Sequence, residues 1–167
     1  SASGRLRKPD EPIQVVDVAG GTILHTPPPA DRLKERLKIL CDFANESSEV
    51  AFIHPVIKGI ILHFWLAYEH PFVDGNGRTS RAIFYWYLLK NNYWGFAYLP
   101  LSKIIKNSPA QYGMAYIYTE QDDNDLTYFL DYNARKIKQS INYILTFNVD
   151  EGAVFSIIVF NIYLASC

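Results

Sequence analysis

The sequence has little cysteine, almost no net charge and no long apolar run, and each shortage excludes something. Two cysteines, Cys41 and Cys167, in 167 residues do not make a disulfide scaffold, and they point to a reducing, cytoplasmic setting. A bridge between the two is not needed. A formal net charge of −1 leaves no basic excess for a nucleic-acid backbone or an anionic membrane, so neither is an expected partner. Any anion must be held locally. The longest apolar stretches, 56–68 and 153–165, are shorter than a bilayer span and are interrupted by Lys58, His63 and Asn161. The second reads as a packed terminal element or an interface strand. No apolar segment follows the basic residues of 1–8, so no secretory signal is read, and residues 1–12 stand as an N-terminal lead or cloning remnant. Repeats and low-complexity tracts are absent.

What is present is a composition 49% hydrophobic, enough for one domain with its own core. The β-favouring runs 13–18 and 22–25, joined through Ala19, Gly20 and Gly21, predict a hairpin. Three prolines, Pro27 to Pro29, then enforce an extended exit, and Leu33, Leu37, Leu40 and Phe43 set a helical rhythm over about 31–46. A second helix starts at His54 and Pro55, where the missing proline N–H costs nothing, and is apolar nearly all round as far as Tyr68. Pro71 must end it. Apolar residues resume from Ala82 to Leu89 after the run Asp74-Gly75-Asn76-Gly77. Ser108 and Pro109 form a cap and first turn for a further helix toward Glu120, with Ser102 a candidate cap for a shorter one. A last helical pattern runs from Asp125 through Ile144.

The chemistry concentrates between these helices. Gly75 and Gly77 flank Asn76 just ahead of a helix, and glycines at positive φ bring successive amides close to phosphate oxygens beside the helix dipole. Arg78 and Arg81 rise three apart from one face, two planar forks suited to a polyphosphate. Asp74 is the one carboxylate of the loop and suits a magnesium ion bridging phosphates. His70 closes the preceding helix, where a neutral ring could take a proton from an attacking hydroxyl. A helix C-terminus favours the charged ring, so that role requires the nearby arginines to hold its pKa down.

Blander readings compete. Taken alone, a glycine-rich turn between helices is more often a connector, and the arginines are what argue against that here. The loop is neither a Walker loop, which has lysine after its last glycine, nor a dinucleotide fingerprint, which follows a strand. His54, His63 and His70 lack zinc-site spacing, so His54 and His63 read as capping or core residues. The abundant tyrosine and tryptophan fall at core spacing rather than among lysines and arginines, and read as packing.

The run His70-Pro71-Phe72-Val73-Asp74-Gly75-Asn76-Gly77-Arg78-Thr79-Ser80-Arg81 resembles the signature of the Fic family at every defined position. Residues 25–29, 54–68 and 125–135 are similar to stretches common in that family, and the resemblance covers about 13–145. It implies an all-α fold, a helical bundle with a small β-hairpin flap at about 13–25, leaving 146–167 as a tail of separate role. It also implies protein adenylyltransferase activity, moving AMP from ATP onto a Tyr, Ser or Thr hydroxyl with release of pyrophosphate. In that reading His70 is the general base, Asp74 the Mg ligand and Phe72 a buried anchor. Gly75, Asn76 and Gly77 form the anion loop, and Arg78 and Arg81 hold the diphosphate portion. Implied partners are ATP, a target protein paired to the flap, an inhibitory helix upstream or on another chain, and a second copy in a homodimer. The family's inhibitory motif is not found within the chain, because Phe147 stands where Glu151-Gly152 would need Ser or Thr. Two alternatives stay open: a Fic fold that transfers another phosphate-containing group, and a non-catalytic nucleotide-sensing module.

Overall fold

In this computed structural model, residues 4–16, 21, 23–45 and 52–147 are described. The fold among them is all-α with one small hairpin: β1 (Val15–Val16), β2 (Ile23–His25), α1 (Leu33–Asn45), α2 (Pro55–Glu69), α3 (Asn76–Lys90), α4 (Leu101–Lys106), α5 (Pro109–Gln121) and α6 (Thr127–Phe147). The chain forms two compact units, with the boundary inside α3 between Phe84 and Tyr85. Among the described residues no helix is long and apolar enough to cross a membrane. The tail beyond 147 and most of the residues joining the hairpin strands lie outside the described residues.

In the first unit β1 and β2 are antiparallel, pairing Val15 with His25 and Val16 with Ile23 across an irregularity between Val15 and Val16. At its start β1 is shorter than the β-favouring run that predicts it, because Ile13 and Gln14 lie outside it; residues 17–20 and 22 are not among the described ones. Pro29 keeps the extended geometry its ring demands, at φ −51° and ψ 142°, and a 3-10 turn at Ala30–Arg32 delays the start of α1 until Leu33. Helix α1 packs on α2, with Leu33, Leu40 and Ala44 on one side and Ile60, Leu62, Phe64 and Leu66 among the buried residues of the other. His54 caps α2 by accepting the Val56 N–H on Nδ1 at 3.3 Å, and Pro55 supplies the first turn. Lys58 is buried within this apolar helix, and its ammonium lies 4.6 Å from the centre of the Phe43 ring. His63 is a core residue, 1% exposed, as the spacing argument expects.

In the second unit α5 and α4 both pack on α6. Rings make that core: Phe129 stands 4.8 Å from Tyr116 and 5.9 Å from Tyr112, both edge-on. Ser108 does sit at the N-cap of α5, but its hydroxyl caps nothing and instead contacts the Ile104 and Ile105 carbonyls and the Tyr132 hydroxyl. Ser102 is no cap either, since α4 already begins at Leu101 after Pro100. Asp125 holds the Thr127 N–H at 2.8 Å and so starts α6.

Candidate functional site

Every candidate residue falls within the first unit, on the segment from the end of α2 through the first turns of α3. Helix α2 stops because His70 takes the left-handed conformation, φ 47° and ψ 58°, one residue before Pro71. The chain reverses there, and helix α3 starts at Asn76. Asn76 and Gly77 therefore belong to the first helical turn, not to a loop ahead of it, and their amides have no intrahelical carbonyl to reach. Amides left over at a helix start are the kind of donor that can hold an anion.

The two glycines do different work. Only Gly75 has a positive φ, +86°, whereas Gly77 is helical. Both serve close approach by an arginine: a Cβ on Gly75 would meet Arg78 Nη2 at 3.4 Å, and one on Gly77 would meet Arg81 Nη1 at 3.4 Å. Thus each guanidinium lies over one glycine. The Asn76 side chain is buried and fully used, its Oδ1 accepting the Phe72 N–H and its Nδ2 donating to the Phe72 carbonyl. Only its main-chain N–H remains for an anion. Phe72 itself is half-buried, less enclosed than the anchor role implies.

Asp74 is exposed, with Oδ1 accepting the Gly75 N–H at 2.6 Å and Oδ2 accepting from Arg78 at 3.1 Å. No group of three or more His, Cys, Asp or Glu among the described residues could hold a metal. A lone, accessible carboxylate beside the first-turn amides fits magnesium, which keeps waters and takes most of its other ligands from phosphates. Arg81 is half-buried, and among the described residues no carboxylate lies within 4 Å of it.

His70 is half-buried at the rim of this segment, and its Nδ1 lies 3.2 Å from the Ala67 carbonyl, which can only accept. The proton of a neutral ring is therefore on Nδ1, and Nε2 carries the lone pair. Burial is what chiefly lowers the His70 pKa; the Ala67 hydrogen bond opposes this, and the charges of His25 and Arg7 add to the lowering. The expected cause was Arg78 and Arg81. The sequence reading also missed His25, whose ring centre lies 6.3 Å from that of His70 and whose Nε2 donates to the Tyr68 carbonyl at 2.7 Å. Arg7 was missed as well: it donates from Nε to the His70 carbonyl at 2.8 Å. The triproline stretch behind His25 was visible, but nothing in it signals that the imidazole turns toward α2.

A model of the Fic/DOC family matches residues 2–88. Protein adenylyltransferase fic-1 of Caenorhabditis elegans is 40% identical over 58 residues, 35% of this chain and 11% of that protein. Protein adenylyltransferase Fic of Nematostella vectensis is 36% identical over 59 residues, 35% of this chain and 14% of that one. The matched part is thus a small fraction of those relatives' length. Among solved structures, a Fic family protein from Desulfovibrio desulfuricans G20 superposes with a TM-score of 0.68 at 23% identity, covering 87% of this chain and 44% of that one. Fic-1 of C. elegans superposes with a TM-score of 0.57 at 23% identity, covering 87% and 38%.

Proposed function

Because the chain belongs to the Fic/DOC family, we propose that it is a protein adenylyltransferase, moving AMP from ATP to a Tyr, Ser or Thr hydroxyl of another protein. The observation that carries this reading is the 3.2 Å approach of His70 Nδ1 to the Ala67 carbonyl: with Nδ1 so engaged, a neutral ring offers a basic Nε2 beside the free amides of a helix start. Nε2 takes the proton of the target hydroxyl as its oxygen attacks the α-phosphorus. The new O–P bond forms while the bond to the β-phosphate oxygen breaks, and pyrophosphate leaves with that electron pair.

The chain's part is mostly positioning and charge neutralisation. The first-turn amides of α3 and the two guanidinia hold the diphosphate portion, which keeps the α-phosphorus in line with the hydroxyl. Asp74 would hold magnesium, whose chemistry when bound is to offset phosphate charge. The hairpin supports a mode for the target. Val16 is 48% and Ile23 52% exposed, and an extended target segment added as a strand would be held by backbone pairing whatever its side chains.

The test uses ATP labelled at the α- or the γ-phosphorus with the intact chain and candidate targets. Transfer from the α-label, lost in His70→Ala, is the expected result. Transfer from the γ-label alone would sink the AMP reading in favour of phosphoryl transfer. No transfer, with a His70→Ala phenotype like wild type, would favour a nucleotide-sensing module.

A further inference from the structure

Six consecutive carbonyls, from the last turn of α2 to Pro71, each have a donor. Leu66 accepts the His70 N–H at 3.1 Å, Ala67 accepts His70 Nδ1 at 3.2 Å, and Tyr68 accepts His25 Nε2 at 2.7 Å. The remaining three all go to one residue. Arg7 donates from Nη2 to Glu69 at 3.2 Å, from Nε to His70 at 2.8 Å, and from its main-chain N–H to Pro71 at 2.8 Å. A helix end ordinarily leaves such carbonyls to water.

The guanidinium is an expensive choice for an ordinary anchor. Arg7 is 7% exposed, and among the described residues no carboxylate oxygen lies within 4 Å of it. Its charge is met by carbonyl dipoles, including that of Pro28 at 2.5 Å, and at longer range by the Glu69 carboxylate. What the planar fork adds is geometry: donors fixed in one plane span successive carbonyls only when the backbone between them holds one conformation. That conformation is the left-handed one at His70, which a side chain with a Cβ adopts reluctantly. In that conformation the ring is directed so that Nδ1 lies 3.2 Å from the Ala67 carbonyl.

We propose that Arg7 is a positioning residue for the transfer reaction, its fork locking the His70 backbone so that Nε2 is aimed at the incoming hydroxyl. This rests on the AMP-transfer reading for its rate consequences, though the locking itself is a statement about the ring. The sequence gives no hint of it, since Arg7 lies in the polar lead.

The test compares the full chain with Arg7→Gln and Arg7→Lys. Lysine keeps the cation but not the fork. Expected for both is a fall in kcat of tenfold or more, with the ATP Kd unchanged within twofold, and loss of the single Nδ1–H tautomer of His70 in nitrogen NMR. A kcat within threefold of wild type in both variants would overturn the proposal, and so would full rescue by lysine, which would make charge the whole effect. Should the wild-type chain transfer nothing from ATP, the transfer reading fails and the NMR decides the locking role alone. An unchanged tautomer in the variants then refutes it, and a mixture supports it. If Arg7→Gln does not fold, Arg7→Lys is judged by the same thresholds.

Discussion

Asn76 binds both polar groups of one residue: its Oδ1 accepts the Phe72 N–H at 2.8 Å, and its Nδ2 donates to the Phe72 carbonyl at 2.7 Å. This pair ties the loop back on the first turn of α3, and it is sealed from water, Asn76 being 3% exposed. Replacing Asn76 with alanine leaves a donor and an acceptor without partners, a cost of about 2–3 kcal/mol. Asn76→Asp is the sharper probe. It keeps the acceptor but sets a carboxylate oxygen against the Phe72 carbonyl, so it too is expected to lower the urea midpoint. A midpoint equal to wild type in both variants would show that the pair does not hold the loop.

The pH dependence of transfer follows from His70. Its pKa is lowered from the ordinary 6.5, chiefly by burial, so the ring is neutral and basic at pH 7. As pH falls through the lowered value the base is protonated and the rate drops. The acid limb of kcat/KM, which reports the unliganded protein, should therefore have its midpoint below 6.5. A midpoint above that value would contradict the burial argument.

Stability has its own histidine. His63 lies in the core, where burial, helped by the charge of Arg81, pushes its pKa down to about 3 from 6.5. The unfolded chain takes up this proton below 6.5 while the folded chain does not, so the contribution is complete above 6.5 and is lost as pH falls toward 3. The slope contributed approaches about 1.4 kcal/mol per pH unit. Urea midpoints measured between about pH 7 and pH 4 should show it, and His63→Gln should flatten the profile; an equal slope in the variant would assign the loss to carboxylates instead.

Gly75 and Gly77 should separate stability from activity. Gly75→Ala forces a Cβ into φ +86° and is expected to destabilise by about 1–2 kcal/mol. Gly77→Ala meets no such strain, and alanine in a helix is favoured over glycine by up to about 1 kcal/mol. Its methyl nevertheless stands against the Arg81 guanidinium, at 3.4 Å from Nη1, beside the first-turn amides. Transfer should fall while the melting temperature holds or rises. Parallel losses in both variants would mean the glycines share one role.

How much of this could be read in advance depends on chain distance. The helices were legible because their apolar residues recur at a fixed period, and the candidate site because its residues, 70–81, are contiguous. What escaped is whatever depends on residues far apart. Arg7 sits among polar neighbours with no pattern to mark it, and its partners are 62 and 63 positions away. Likewise the left-handed turn of His70 and the inward direction of Asn76 are set by packing, which no local propensity encodes. The arginines offered as the cause of the lowered His70 pKa were the nearest charges in sequence, whereas enclosure by α2 and its neighbours does most of the lowering.

The 63-residue span between Arg7 and the His70 carbonyl also sets an order in time. On the ribosome the arginine emerges long before its acceptors exist, and closing so long a loop is a late event in folding. A half-made chain thus contains the hairpin and α1 segments before the imidazole's backbone can be held. Competence arrives only when the beginning of the polypeptide has been stitched to its middle.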